Sequence, residues 1–246
     1  MNLSATLNVD TLEGLEALSP LEIASFHPKS SSNYGLIIVD AVNGFCTPGR
    51  GPLAPVEFNA QIKIMIDKID DLAKIAVKKA LPILALRDSH RTDQNEAPYP
   101  PHCLEGTGDD ELVDQLLWLK SAPNTEILAK NCINGVIGGI RSSRNVVFDW
   151  IIDGVERKQI DTLLVTGICT DICVLGLVVA LLSARTRNLI GDIKEIVVLE
   201  EACATYDLSL KTARELGLPD KAAHPQELYH QMGLRIMQNQ GALIVR

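Results

Sequence analysis

Three residue types that together support nucleophilic catalysis occur in this sequence as Asp40, Lys130 and Cys173. Cys173 ends the segment Thr166-Gly-Ile-Cys-Thr-Asp-Ile-Cys and precedes an apolar stretch that is typical of a buried helix. At the first turn of such a helix, free N–H groups and the positive end of the helix dipole favour a thiolate, which lowers the thiol pKa. The same N–H groups are suited to hold a developing oxyanion. The sequence therefore predicts that Cys173 is a nucleophile.

Asp40 and Lys130 supply the acid–base groups that such a thiol needs. A carboxylate accepts the thiol proton, and an ammonium orients the carboxylate and favours negative charge on sulfur. The alternative interpretation is a surface Asp–Lys ion pair beside a buried, inert thiol. The cysteines that lack a strand-to-helix turn are predicted to pack in the core, and these are Cys46, Cys103, Cys132 and Cys203.

A second group of residues has the spacing of metal ligands. Asp88 and His90 are two residues apart, so in an extended loop both side chains point to the same side. With His102 they form a two-imidazole, one-carboxylate set that suits zinc or iron and leaves positions open for water and a ligand. The alternative is a solvated loop with scattered histidines, in which Asp93 and Glu96 are solvated rather than outer ligands. No role is predicted for the other histidines, which are His27, His224 and His230.

Six short apolar runs and the helices between them must position these residues. The strands are predicted at residues 35–39, 82–86, 125–129, 162–166, 195–199 and 242–245, and the main helices at about 55–79, 145–157, 173–184 and 225–239. Right-handed crossovers place helices on both faces of such a sheet, so we predict a three-layer α/β sandwich with a mostly parallel six-stranded sheet. The polar groups singled out above follow the carboxyl ends of strands, where open α/β sheets bind ligands.

The composition of the 246 residues argues against several classes of function. A net charge of −8 and an aromatic content of 4 % argue against a nucleic-acid partner, which needs clustered basic residues or stacking platforms. The longest apolar run, at residues 174–182, is far shorter than a membrane span, and the first thirty residues carry no basic segment ahead of an apolar one. Six cysteines without dense spacing are typical of reduced thiols. We therefore expect a cytoplasmic protein that has neither a nucleic acid nor a membrane as its partner.

Three separated blocks of the sequence carry a further signal. They are Val39-Asp-Ala-Val-Asn-Gly-Phe45, Asp88-Ser-His90 with Pro101-His-Cys-x-x-Gly-Thr107, and Gly167-x-x-Thr-Asp-x-Cys-Val174. Together with the order of strands and helices, they resemble the isochorismatase-like cysteine hydrolases and, among them, the nicotinamidases. The resemblance covers about residues 34–246, which implies a hydrolase domain preceded by an N-terminal extension at residues 1–33. The chain departs from the usual family pattern at three positions, Val42, Gly44 and Asn131.

The resemblance implies specific roles for these residues. The implied catalytic residues are Asp40, Lys130 and Cys173, and the implied ligands of one divalent metal, zinc ahead of iron or manganese, are Asp88, His90 and His102. A cis peptide bond between Ile168 and Cys169 is also implied, which turns the N–H of Cys169, beside that of Cys173, toward the oxyanion. Phe45 is expected to flank a pyridine ring, and a homo-oligomer is the expected assembly.

The implied reaction is hydrolysis of nicotinamide to nicotinate and ammonia through a thioester on Cys173. In this hypothesis the metal binds the pyridine nitrogen, while Asp40 takes the thiol proton, returns it to departing ammonia and then activates water. One alternative is a related hydrolase acting on a vinyl ether or on a carbamoyl or ureido amide, whose relatives generally lack the D-x-H…H set. The other is a catalytically silent scaffold, against which the retained Cys, Asp and Lys argue.

Overall fold

Six parallel strands form the centre of the molecule in the computed structural model, which describes residues 20–94 and 96–246. They are β1 (Tyr34–Val39), β2 (Ile83–Asp88), β3 (Thr125–Lys130), β6 (Thr162–Ile168), β7 (Glu195–Ala204) and β8 (Leu243–Val245); β4 (Ile140–Arg141) and β5 (Arg144–Asn145) form a separate antiparallel ribbon. The spatial order of the large sheet is β3-β2-β1-β6-β7-β8, and each neighbouring pair is parallel. The predicted sheet is confirmed, and it is wholly rather than mostly parallel.

Helices cover both faces of this sheet. They are α1 (Asn43–Cys46), α2 (Ala60–Lys78), α3 (Gly135–Gly138), α4 (Val146–Glu156), α5 (Leu175–Thr186), α6 (Leu210–Glu215) and α7 (Gln226–Asn239), with 3₁₀ turns at Asp114–Ser121 and Asp220–Ala222 and a π-helical turn at Thr170–Val174. Among the residues that the structure describes, no helix combines the length and the apolar character needed to cross a membrane.

The side chains of each strand point alternately to the two faces of the sheet, and they form one apolar layer on each face. On β1, Leu36 and Ile38 pack with the α2 side of the sheet, whereas Ile37 and Val39 pack with the side that holds α4, α5 and α7. Successive side chains of a strand point to opposite faces, so a strand covered on both faces has a continuous apolar sequence. This two-sided burial is the reason that the strands are recognisable as uninterrupted apolar runs.

Several element boundaries differ from the predicted ones. Helix α2 begins at Ala60 rather than near residue 55, because the Asn59 side chain caps it by accepting the N–H of Ile62 at 3.0 Å. Strand β7 continues five residues beyond the predicted end to Ala204. Its polar extension is stabilised by ion pairs, of which one joins Glu200 to Arg246 at 2.7 Å. The predicted helix at residues 173–184 begins only at Leu175, after the π-helical turn.

The predicted N-terminal extension at residues 1–33 lies partly outside the described residues, since the description starts at residue 20. From there the chain runs beside the last strand, where the N–H of Ala24 donates to the carbonyl of Ile244 at 3.1 Å and that of Phe26 to the carbonyl of Arg246 at 2.8 Å. The division of the chain at residues 33 and 34 stays a prediction.

Candidate active site

The ends of β1 and β6 approach each other closely because β6 has a glycine at this point. Gly167 has a φ of +124°, and a Cβ atom there would lie 2.0 Å from the carbonyl oxygen of Val39. Only glycine fits such a position. The register of β6 against β7 also shifts between Val165 and Gly167. The chain leaving β6 is thereby brought to the end of β1, where Asp40 adopts a left-handed φ of 51° and ends the strand.

Lys130, at the end of β3, is the centre of a buried cluster of charges. Its Nζ lies 2.8 Å from Asp40 Oδ2 and 2.8 Å from Asp88 Oδ1, and it donates to the Cys132 carbonyl at 3.0 Å. The Sγ of Cys173 lies 4.0 Å from the same Nζ. Lys130 and Asp40 are 1 % and 0 % exposed. We name Asp40, Asp88, Lys130 and Cys173 the strand-end cluster.

The pKa values in the strand-end cluster follow from burial and from the shared ammonium. Burial raises the pKa of Asp40 to about 7, against the opposing influence of Lys130. Burial would also raise the pKa of Asp88, but Lys130 and the neighbouring histidines hold it below its usual range. The pKa of Lys130 stays above its ordinary value, because the attraction of Asp40 and Asp88 outweighs burial. One carboxylate is thus fixed as an anion, and the other is poised to exchange a proton near neutral pH.

The predicted ionisation of Cys173 is wrong for the resting protein. Burial raises the pKa of this thiol well above its ordinary value, and Lys130 offsets only part of the effect. The local dipoles of a helix terminus favour a thiolate, but the desolvation of a side chain that is only 7 % exposed outweighs them. The position is also different, because Cys173 lies in the π-helical turn before α5 and not in the first turn of the helix. A thiolate at this site has to form by transfer of the proton to a neighbour.

The turn that holds Cys173 is fixed from outside as well as by its own backbone. The peptide bond between Ile168 and Cys169 is cis, as the resemblance implied. The hydroxyl of Thr170 is 2.8 Å from Nδ1 of His230 on α7, and Asp171 Oδ1 accepts the hydroxyl of Thr205 at 2.6 Å. The main chains of α7 and the turn touch at Gly233, where a Cβ atom would lie 2.8 Å from Asp171 Cα. The nucleophile turn, Cys169–Val174, is therefore packed on the C-terminal part of the chain.

Four side chains form a group that fits a metal ion. One nitrogen or carboxylate oxygen from each of Asp88, His90, Glu96 and His102 lies within 4.8 Å of the other three. The Nε2 atoms of His90 and His102 lie 2.9 and 3.1 Å from Asp88 Oδ2, and each lies 3.7 Å from Glu96 Oε2. Ligands of a tetrahedral zinc ion, about 2.1 Å from the metal, are about 3.4 Å apart, so the donor types and their spacing suit such an ion.

The partners around this group orient its ligands. His102 Nδ1 is 2.8 Å from the carbonyl oxygen of Pro100; with Nδ1–H donating there, Nε2 is the nitrogen that would bind a metal in the group. Glu96 is held by the N–H of Ile133, which donates to its Oε1 at 2.7 Å. From the sequence alone Glu96 is either an outer ligand or a solvated acid, whereas the structure brings its carboxylate into the group. The sequence signal that could have identified Glu96 as a ligand is its position midway between His90 and His102.

Cys173 and the metal-binding group face the same cavity, whose volume is about 740 Å³. Asp88, His102 and Cys169 also line it, while Asp40 and Lys130 lie behind this wall. Phe45 is on the wall with its ring centroid 5.5 Å from that of His102, in keeping with a place for a flat ring beside the group. The remaining lining is mostly apolar or aromatic, with Tyr99, Ile172, Tyr206, Leu208, Leu218 and Tyr229 among its residues.

The far wall of the cavity was not found from the sequence. It is formed by residues 206–229, and His224 lies there between the rings of Tyr206 and Tyr229, with centroids 3.8 Å from each. His224 is 4 % exposed and lies 2.8 Å from Asp171 through Nε2. No local pattern marks these residues, because they are single side chains distributed over short helices, turns and loops.

The structure brings together all the predicted site residues, and it explains one departure from the family pattern. Gly44 stands where the usual pattern has an aspartate, and a Cβ atom there would lie 2.7 Å from Cys103 Sγ and 3.1 Å from the carbonyl oxygen of Asp109. The loop before the Asp114–Ser121 turn occupies that space, since the N–H of Gly44 donates to Asp109 at 2.8 Å. Asn131, the departure after Lys130, donates through its side chain to Gln94 at 3.3 Å.

Comparison with known proteins finds one matching family and several similar proteins. Residues 34–245 match the family described as Isochorismatase domain. A protein of Arabidopsis thaliana named Nicotinamidase 1 is 44 % identical over 214 residues, which span 87 % of this chain and 86 % of that protein. The solved nicotinamidase of Bacillus subtilis is 22 % identical, with a TM-score of 0.62 over 87 % of this chain and 100 % of that one. The pyrazinamidase of Pyrococcus horikoshii, solved in complex with zinc, is 19 % identical, with a TM-score of 0.58 over 87 % and 99 %.

Proposed function

The chain belongs to the isochorismatase family, and from this premise we propose that it is a nicotinamidase, which hydrolyses nicotinamide to nicotinate and ammonia. Its 44 % identity to the Arabidopsis nicotinamidase supports this substrate. The observation that carries the proposal is the position of Lys130 Nζ, 2.8 Å from Asp40, 2.8 Å from Asp88 and 4.0 Å from Cys173 Sγ. One ammonium thus connects a nucleophile and its base to a metal-binding group, which is the arrangement that amide hydrolysis on an anchored ring requires.

The first half of the reaction forms a thioester on Cys173. Asp40 accepts the thiol proton, since its raised pKa makes it a stronger base than an ordinary aspartate. The ammonium of Lys130 stabilises the thiolate, which attacks the carboxamide carbon. We assign the N–H groups of Cys169 and Cys173 to the oxyanion that forms there. Asp40 then returns the proton to the amide nitrogen, the carbon–nitrogen bond breaks and ammonia leaves.

The second half of the reaction releases nicotinate. Asp40, again a carboxylate, takes a proton from water as that water attacks the thioester carbonyl. The carbon–sulfur bond breaks and the thiolate of Cys173 recovers a proton from Asp40. Lys130 remains an ammonium throughout, because two carboxylates hold its pKa high. The chain therefore needs one residue, Asp40, to move protons in both halves.

A divalent metal is the proposed cofactor, held by Asp88, His90, Glu96 and His102. When bound, such an ion would supply a Lewis-acid contact for the ring nitrogen of the substrate, which fixes the position of the ring. Phe45 packs beside His102 and supports that position from the protein side. Zinc is our choice of metal, because the donor set suits it and the related pyrazinamidase of Pyrococcus horikoshii was solved with zinc. Iron and manganese are the other metals to test.

The cellular setting follows as part of the same proposal. Nicotinate release supplies a precursor for NAD salvage, and the chemistry of the thiol suits a reducing compartment such as the cytoplasm. A homo-oligomeric assembly stays a prediction from the family resemblance.

The test is the release of ammonia and nicotinate by purified protein loaded with zinc, iron or manganese. We expect turnover of nicotinamide that a chelator weakens chiefly through KM, because the metal anchors the ring. An N-carbamoyl amide and an isochorismate-like vinyl ether serve as competing substrates. Turnover of either competitor with no ammonia from nicotinamide would replace the proposal by the corresponding relative's chemistry, and an unchanged KM after metal removal would contradict the anchoring role.

A further inference from the structure

Both ring nitrogens of His224 face atoms that accept hydrogen bonds. Nε2 lies 2.8 Å from Asp171 Oδ2, and Nδ1 lies 3.0 Å from the carbonyl oxygen of Tyr206. A carbonyl oxygen and an ionised carboxylate only accept. Burial would raise the pKa of Asp171, but the hydrogen bonds from His224 and Thr205 hold it below its usual value, so the carboxylate is ionised. Two hydrogen bonds to these acceptors at once require a proton on each ring nitrogen, which is the imidazolium form of the ring.

The surroundings of His224 suit a cation. Its ring is stacked between Tyr206 and Tyr229, with centroids 3.8 Å away on either side and interplanar angles of 16° and 22°. The faces of aromatic rings attract a cation, and more strongly when the site excludes water. An imidazolium and a carboxylate together are electrically neutral, so burying such a pair leaves no unpaired charge. We name His224, Asp171 and the two tyrosines the tyrosine-flanked pair.

The pair connects two parts of the chain across the cavity. Asp171 lies two residues before Cys173 in the nucleophile turn, and its other oxygen is held by Thr205 at 2.6 Å. His224 ends the segment 208–224, whose first and last residues form an isolated bridge in which the N–H of His224 donates to the Leu208 carbonyl at 2.6 Å. This segment contributes much of the far wall of the cavity. The contact of His224 with Asp171 therefore fixes that wall to the turn that presents the nucleophile.

Building on the proposed function, we propose that His224 is a positioning residue that acts as an imidazolium: it holds Asp171 and, through it, the turn that presents the Cys173 thiol and the oxyanion N–H groups. His224 moves no proton and makes no bond to the substrate in this role. Its contribution is geometric, and a shift of about 1 Å at the reacting atoms can cost about 100-fold in rate.

The ionisation of His224 is measurable without any activity assay. In the full-length wild-type protein, two-bond nitrogen–proton correlation spectra of the histidine rings distinguish the imidazolium from each neutral tautomer. We expect both nitrogens of His224 to be protonated near neutral pH, with assignment from the missing signal in the His224→Phe variant. A neutral tautomer in wild-type protein that hydrolyses nicotinamide would overturn the inference and leave the proposed function intact.

Kinetics separate positioning from folding. His224→Phe keeps a ring between the tyrosines and loses both hydrogen bonds, and we expect kcat to fall about 10- to 100-fold with KM changed less than about threefold. His224→Gln keeps an N–H donor for Asp171 and should recover part of kcat. His27→Phe, on an exposed histidine, is the matched control. Equal kcat for wild type and His224→Phe would overturn the inference.

A milder variant covers the case in which His224→Phe does not fold. Thr205→Val removes only the hydroxyl that holds the other oxygen of Asp171, and we expect kcat to fall by about tenfold at unchanged KM. A normal kcat in folded Thr205→Val would contradict the claim that Asp171 must be held. Wild-type protein that releases no ammonia from nicotinamide would instead overturn the proposed function, whatever the protonation of His224.

Discussion

Two buried groups of charged side chains lie close to Cys173, and they differ in the ratio of positive to negative charges. In the strand-end cluster one ammonium serves two carboxylates, and burial, with the nearby charge of Asp88, raises the pKa of Asp40 to about 7 against the opposing influence of Lys130. In the tyrosine-flanked pair the proposed imidazolium serves one carboxylate, and the pKa of Asp171 is lowered although burial opposes it. The unbalanced cluster can release and take up a proton near neutral pH, whereas the balanced pair keeps its charges fixed. The difference indicates that the strand-end cluster carries out the chemistry and that the tyrosine-flanked pair maintains the position of the nucleophile turn.

The comparison predicts the largest losses in the strand-end cluster. Cys173→Ala removes the nucleophile and Asp40→Asn removes its base, so each should lower kcat by at least about 10,000-fold while the protein stays folded. Ammonia release and circular dichroism provide the measurements. Cys203→Ala, on a buried cysteine of β7, is the matched control and should keep its activity. Activity of Cys173→Ala within threefold of wild type would refute the assignment of the cluster to chemistry.

Removing the shared ammonium should impair both activity and stability. Lys130→Met leaves Asp40 and Asp88 facing each other without a cation, so we expect a loss of about 3–5 kcal/mol in the free energy of unfolding, because a buried charge loses its partner. We also expect kcat to fall by about 100-fold or more, because the thiolate loses its stabilising charge. Urea denaturation and steady-state kinetics measure these effects.

An exposed ion pair provides the control for that variant. Lys29→Met breaks the surface contact between Lys29 and Glu195, in which the two side chains are 62 % and 35 % exposed. This variant should change the free energy of unfolding by less than about 0.5 kcal/mol. Equal stability of Lys130→Met and wild type would show that the buried ammonium is not essential to the cluster.

Glu96 tests whether the metal-binding group extends beyond the predicted three ligands. Glu96→Gln should weaken zinc binding by about 10- to 100-fold, since a neutral amide is a poorer ligand than a carboxylate. Titration calorimetry of the metal-free protein measures the affinity. Asp93→Asn, on an acid of the same loop with a 66 % exposed side chain, should bind zinc normally. An unchanged zinc affinity in Glu96→Gln would reduce the set to Asp88, His90 and His102.

The raised pKa of Asp40 predicts the acid limb of the pH profile. Only the carboxylate accepts the thiol proton, so kcat/KM should fall about tenfold per unit as the pH drops below about 7 and should level off above it. An aspartate with its ordinary pKa would place this limb near pH 4. The measurement is kcat/KM at saturating metal and constant ionic strength, with intrinsic fluorescence as the check on folding. A flat profile down to pH 5 would contradict the unbalanced charge of the cluster.

The contact between α7 and the nucleophile turn should give the smallest of these effects. Gly233→Ala places a Cβ atom 2.8 Å from Asp171 Cα, so the turn or the helix must shift. We expect a loss of about 1–3 kcal/mol in stability and a several-fold decrease in kcat. Gly176→Ala, in α5, meets no atom closer than 3.7 Å and should be neutral or stabilise by about 0.5–1 kcal/mol. Identical behaviour of the two variants would show that the turn tolerates movement.

The same two regions differ in how far sequence predicts them. Asp40 follows a strand of continuous apolar residues directly, while Asp88 and Lys130 end two further ones, so their meeting at one sheet edge follows from strand order alone. His224 and Glu96 lie in irregular segments whose positions depend on packing with distant residues. The sequence offered no periodicity to place them. The thiol pKa was predicted in the wrong direction because desolvation depends on the whole fold and not on the local turn.

Trapping the covalent intermediate tests the role of Cys173 as nucleophile most directly. Metal-loaded protein is mixed with nicotinamide, quenched in acid within the first turnover and digested, and the peptides are examined by mass spectrometry. We predict a nicotinoyl group on the peptide that contains Cys173, which is absent from Cys173→Ala. Full turnover with the acyl group on another residue, or with no acyl group on the protein, would contradict the central claim that Cys173 attacks the amide with the help of Asp40 and Lys130.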